Sequence, residues 1–389
     1  MRNACRKALV STLSLLSLGF AMAPAAQATP AETAPSETAK AKAALKAIAA
    51  CKPGAACAAH LPVKVVVVTL FEIGKDEGDA AGEFQLWKQR AGLSEKIAFP
   101  QGFHDLYYNP QTQVLGMVTG MGNIKSATAT LALGLDQRVD VSKAYWLVAG
   151  IAGIDPAAGA VGSAAWARYV VDGDMAHEID AREIPAKWKY GYFPIHGSTK
   201  VEDDPMGGTA PAPANGEMFA LNPGLAQWAY GLTKDIKLPD DPSIAAQRAS
   251  YTGYPLAQTP PKVMMGDQLA AMTYWHGEKL TQWGRDWVKY WTKGQGTFVT
   301  SAMEETGTFQ SLEYLTRIGR ADRNRAMVLR AGSNFTMPAP GVTPAENMAR
   351  ENAGYSGMTA ALEALYAAGS KVVGELVTNW PRYEKAPPK

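Results

Sequence analysis

The segment "AYWLVAGIAGIDP" (residues 144–156) runs apolar from Ala144 to Ala149, then meets Gly150, Gly153, Asp155 and Pro156. A buried strand that leads into glycines brings backbone N–H groups, unobstructed by a Cβ, to where a ligand can approach. A second stretch upstream, "VTGMGN" (118–123), ends another apolar run with Gly120 and Gly122. Both read as strand-to-glycine turns. One such turn signals only a change of direction. Two of them, followed by "SAMEETG" (301–307) and "LRAGSN" (329–334), form a pattern.

Working outward, "VKVVVVTL" (63–70) is β-branched on every side, as expected of a strand buried on both faces. Helices are predicted over 79–91 and 124–138, and strands over 114–120, 144–150 and 163–175. Further strands are expected at 262–267, 296–304 and 325–334, with a long helix or helix pair over 268–292, a helix over 306–318 and closing helices in 343–377. Strands alternating with helices predict an α/β fold with a mixed, largely parallel central sheet, whose ligands sit at the carboxyl ends of the strands. The Pro- and Gly-rich region 181–262 reads as a loop-like insertion carried by the domain. Trp283, Trp287 and Trp291 recur every four residues, the spacing of a core-facing helix stripe.

The chain has 389 residues, 47% of them hydrophobic, enough for a large core. Its start carries Arg2, Arg6 and Lys7, then an apolar run to about Ala23 and "AQA" (26–28). That is the pattern of a signal peptide over 1–28, predicting a periplasmic or secreted protein. Loss of those three basic residues moves the formal charge from +2 to about −1, which leaves no basic field for nucleic acid. Residues 29–61, rich in Ala, Lys, Pro and Thr, read as an N-terminal arm with a short helical patch. Cys51 and Cys57 are expected to form one local disulfide in an oxidising compartment. No His/Cys/Asp cluster has metal-ligand spacing, so neither a metal nor a cofactor is expected.

The order "TGMGNIKSATAT … VAGIAGIDPAAGAVGSAAWA … MMGD … SAMEETGTFQSL … MVLRAGSNF" resembles the nucleoside phosphorylase and nucleosidase superfamily, and more closely its exported branch, the purine nucleoside permeases. The likeness covers about residues 62–380. It implies the three-layer nucleoside phosphorylase-like fold and a purine nucleoside as ligand. Carried over position by position, Met303 and Glu304 would hold the ribose, with the Glu304 carboxylate accepting from its hydroxyls. Asn334 would face purine N7. Gly120 and Gly122 would line the ribose or anion side, Ala149, Gly150 and Gly153 the wall beside the base, and Asp267 would follow Gly266 in a "GD" strand end. Ile154 departs from the Gly or Leu common there.

The loop after the first strand, "TLFEIGKDEG", departs further. Phosphorylases of the superfamily keep an Arg there to hold phosphate; here Glu72, Asp76, Glu77 and Asp79 face one Lys75. Such a loop repels phosphate and suits Glu72 to hold an attacking water, although Lys75, Thr119 and Lys125 remain available to an anion. The expected activity is therefore hydrolysis of an N-glycosidic bond, with Glu72 and Asn334 catalytic. The alternatives are a phosphorylase, or a non-catalytic component of nucleoside uptake that passes its cargo to a membrane transporter. Homo-oligomerisation is left open. His177, Trp188, Tyr190 and Tyr192 are further candidates to meet the substrate, with burial or local bonding as the ordinary alternative.

Overall fold

The computed structural model describes residues 36–53, 56–196 and 200–389. The predicted signal segment lies outside them. Residues Ser36–Lys389 form one compact unit.

At its centre the strand Val65–Thr69 lies between Val114–Val118 and Tyr145–Ile154, parallel to both. Odd and even positions explain why valine occupies both faces. Val66, Val68, Trp146 and Val148 pack on one side with Ala129, Leu133, Phe309 and Leu312 of the helices Asn123–Leu135 and Glu305–Arg317. Val65, Val67, Tyr145 and Leu147 pack on the other with Trp87 and with Leu365, Ala368 and Val372 of the helix Met358–Thr378. The result is helix, sheet and helix in three layers. Pairing is parallel between Val65–Thr69 and its two neighbours, and antiparallel where Phe298–Ala302 meets Tyr145–Ile154 and at the edge strands Glu95–Ile97 and Met218–Ala220. The expected mixed α/β architecture is the observed one.

Several elements differ from expectation. The strand Tyr145–Ile154 runs straight through "GIAGI", so Gly150 and Gly153 lie within it and the turn begins only at Asp155. It pairs in parallel with Ala326–Phe335 along its length, Arg330 opposite Gly150. Residues Asp267–Ala270 are strand, not helix, because they are buried between Tyr169–Asp172 and Phe298–Ala302, and this pairing overrides local propensity. The helix begins at Glu278, and its Trp283, Trp287 and Trp291 are core.

The insertion holds two helices, Pro223–Thr233 and Pro242–Ala249, each opened by an Asn or Asp cap followed by Pro. Those Asn222-Pro223 and Asp241-Pro242 pairs are the sequence signal for helix starts. Leu225 and Ala229 enter the main core.

The arm is likewise part of the domain. Its helix Glu37–Ile48 buries Ala41 and Ile48 against Leu61, Val139 and Val141, and Glu37 bonds the buried Lys64 at 2.7 Å. Cys51 and Cys57 are joined, with Cα atoms 5.8 Å apart. Replacing both cysteines by serine should leave the fold intact but lower its stability by about 2 kcal/mol, the chain-entropy value for so short a loop. Urea unfolding of the two proteins measures this, and an unchanged midpoint would contradict it.

Candidate functional site

Arg330 lies within an otherwise apolar strand and is fully buried, so its charge needs partners. Three glutamates from two segments supply them, Glu83 from one and the adjacent Glu304 and Glu305 from the other. Its Nη2 donates to Glu304 Oε2 at 2.8 Å, and its Nε bonds the Glu305 carboxylate. Its Nη1 donates to the Ile151 carbonyl at 2.7 Å and lies 3.7 Å from Glu83 Oε1. Gly150 is glycine for this reason: a Cβ there would come within 2.2 Å of Arg330 Nη1 and 2.7 Å of Glu83 Oε1.

Three carboxylates against one guanidinium leave excess negative charge in a dry place. Burial pushes Glu83 up to about 7; Arg330 pulls against this and Glu304 adds to it. Burial raises the Glu305 carboxyl as well, with Arg330 opposing. Burial works against the Arg330 charge, but the glutamates outweigh it and hold the group above its ordinary range.

Glu304 precedes the helix Glu305–Arg317 and faces the start of another, Asn123–Leu135. Gly122, the residue before that second helix, donates its N–H to Glu304 Oε1 at 3.2 Å, where the helix dipole favours an anion. Gly307 lets the helices close together, its N–H donating to Asn123 Oδ1 at 2.9 Å. Met303 N–H and Arg330 fill Glu304 Oε2, so by lone-pair count one open lobe remains, on Oε1. Glu83 Oε2 accepts from Leu70 and Phe71 N–H and its Oε1 from Ile151 N–H, which again leaves one lobe, on Oε1.

These groups border a cavity of about 190 Å³ at the ends of the strands. Met303, Glu304, Gly153 and Asn334 line it as the sequence suggested, together with Glu83, Arg330, Phe71, Met121, Tyr274 and Tyr355. Gly122 reaches it through Glu304, and Gly150 lies beneath Arg330. Gly120 has φ 85° and packs beside Phe103 and Lys125.

Glu72 is a correction. It is not among the lining residues; its carboxylate accepts N–H bonds from Ile73, Gly82, Phe84 and Gln85 and so shapes the loop that delivers Glu83. Asp267 is another: it is fully buried and accepts from the backbone of Arg168, Tyr169 and Thr297, away from the cavity lining. Lys125 stacks over the Phe103 ring at 4.7 Å, Thr119 bonds the Gly120 carbonyl, and Lys75 lies in the Glu72 loop, its N–H donating to Asp79. His177 and Trp188 pack on Phe193, Tyr190 bonds Asp286 and Tyr192 packs on Trp283, none of them at this cavity. Among the described residues no group of His, Cys, Asp and Glu is arranged to hold a metal ion, and no helix is long and apolar enough to cross a membrane.

The glycine assignments separate by substitution. Gly150→Ala should cost about 1–3 kcal/mol by overpacking and displace Arg330 from its glutamates. Gly153→Ala meets nothing nearer than the Thr336 methyl, at 3.2 Å, and should cost less. Urea midpoints of the two variants give the comparison; equal losses would contradict the packing reason for Gly150.

Residues 62–388 match the family described as purine nucleoside permease (NUP). A probable purine nucleoside permease of Schizosaccharomyces pombe is 27% identical over 286 residues, 72% of this chain and 80% of its own. A purine nucleoside permease of Candida albicans is 28% identical over 327 residues, 83% of this chain and 77% of its own. Among solved structures, a 5′-methylthioadenosine/S-adenosylhomocysteine nucleosidase from Colwellia psychrerythraea aligns with a TM-score of 0.48 at 17% identity, covering 81% of this chain and 96% of that one. With more than four-fifths of its length matched by the family, the chain belongs to the purine nucleoside permeases.

Proposed function

We propose that this protein binds a purine nucleoside in the cavity beside Arg330 and hydrolyses its N-glycosidic bond. The observation that carries the reading is a pair of buried carboxylates, Glu304 and Glu83, each with one open acceptor lobe on the same cavity, and one of them balanced near neutrality. The family supports the ligand class.

Glu304, fixed by Arg330 and Gly122, accepts a ribose hydroxyl. Glu83, rather than Glu72, holds the attacking water. As the C1′–N9 bond breaks, positive charge grows on the sugar and the electron pair leaves with the purine. Asn334 supports the departing base through N7. Water adds its oxygen to C1′ and gives a proton to Glu83, which passes it on to the purine. Phosphate is disfavoured as the acceptor. Among the described residues lining the cavity Arg330 is the one cation, and it is already bound by glutamates.

The same reading has the protein exported to the periplasm or secreted. The charged and apolar start of the chain supports this, as does the Cys51–Cys57 bond, which suits an oxidising compartment. N-terminal sequencing of the mature protein should begin near Thr29.

Because Glu83 acts as a base, only its ionised form works. kcat/KM should therefore rise with pH through about 7 and level off above it. Glu83→Gln should abolish that rise and slow turnover by about two to four orders of magnitude. The assay is purine release from nucleosides with and without phosphate, with the sugar identified. Ribose independent of phosphate is expected. Ribose 1-phosphate as the main product overturns the hydrolytic reading, and tight binding without turnover assigns the chain to nucleoside capture for uptake.

A further inference from the structure

Two residues lining the cavity, Asn334 and Tyr274, form a three-membered arrangement with Glu351, which lies behind them. The Asn334 amide nitrogen donates to the Tyr274 hydroxyl at 2.7 Å, and that hydroxyl donates to Glu351 Oε2 at 2.6 Å. Asn334 Nδ2 and Glu351 Oε2 are themselves 3.3 Å apart. The neighbours fix the amide's orientation. The Phe335 carbonyl and Glu351 face its nitrogen, while the Ser333 hydroxyl donates to its oxygen at 3.0 Å. Asn347 occupies the other Glu351 oxygen at 2.8 Å and so aims Oε2 at Asn334. Glu351 ends the helix Pro344–Glu351, which buries none of its residues and therefore contributes little to the core. Tyr274 is 40% exposed, so its ring has solvent on one side.

One donor beside one acceptor is a specific demand. In its place now sits a single atom, the tyrosine oxygen, that accepts from Asn334 and gives its proton to Glu351. A 6-aminopurine presents the same pair along one edge, N7 as acceptor and the exocyclic amine as donor. A 6-oxopurine presents two acceptors there and would set its oxygen against the Glu351 carboxylate. We propose that the protein selects 6-aminopurine nucleosides over 6-oxopurine ones, with Glu351 reading the amine and the Tyr274 hydroxyl standing in for the base edge until the substrate displaces it. This rests on the assignment of the cavity to a purine nucleoside.

Titration calorimetry of the intact protein with free adenine and free hypoxanthine tests it without turnover. Adenine should bind more tightly by about tenfold or more, the size of one bidentate base contact. Glu351→Gln, whose amide can donate as well as accept, should bring the ratio close to one. Tyr274→Phe removes the competing hydroxyl and should tighten adenine binding, which a merely structural tyrosine would not do. Equal affinities in the wild type, or weaker adenine binding in Tyr274→Phe, overturn the proposal and leave the purine site standing. Failure of either base, and of either nucleoside, to bind removes the nucleoside reading and this proposal with it.

Discussion

The buried guanidinium of Arg330 is the constraint on which the site depends. A charge with no access to water must be met by opposite charge and by hydrogen-bond acceptors, and here these come from the Glu72–Gln85 loop, the Tyr145–Ile154 strand and the start of the Glu305–Arg317 helix. One group therefore ties three segments, distant in sequence, to one point. It removes the side chain at position 150, and it holds the Glu304 carboxylate where the Asn123–Leu135 helix begins. Two glycines serve the same geometry differently. Gly150 makes room for a side chain, whereas Gly307 allows one helix to approach another.

The excess of carboxylate over guanidinium is what makes the cluster chemically useful. A balanced buried pair would be inert. With three glutamates around one arginine, burial raises both Glu83, to about 7, and Glu305, so the cluster holds a proton more readily than free carboxylates do. The loop that carries Glu83 is organised by a different acid, Glu72, whose bonds are all to backbone. Two carboxylates in one loop thus divide the work. One shapes the chain and the other faces the cavity.

Much of the fold was legible because it follows from periodicity. The valine-rich 65–69 strand, the helix over 124–138 and the tryptophan stripe all express which face is buried. At the site, Met303, Glu304 and Asn334 were legible as a motif order. Arg330 stood in plain view as a charge inside an apolar run, which asks for a buried ion pair, although the double glutamate that meets it lies well upstream in the sequence. Glu83 carried no such mark: only the backbone bonds of the 71–85 loop decide that it, and not Glu72, turns inward. Tyr274 and Glu351 are separated by 77 positions and share no local pattern, so their meeting is a product of tertiary structure alone. The strand at Asp267–Ala270 was hidden for the same reason, since its partners rather than its residues make it a strand.

The large sheet ends in three strands of three residues each, Glu95–Ile97, Met218–Ala220 and, on its branch, Val263–Met265. At one of them Glu95 and Lys96 are exposed and charged. A long bare strand edge invites another chain to add on by backbone pairing; a short, charged one does not. Margins this short offer little backbone for a further strand to pair with, which disfavours fibrillar self-addition.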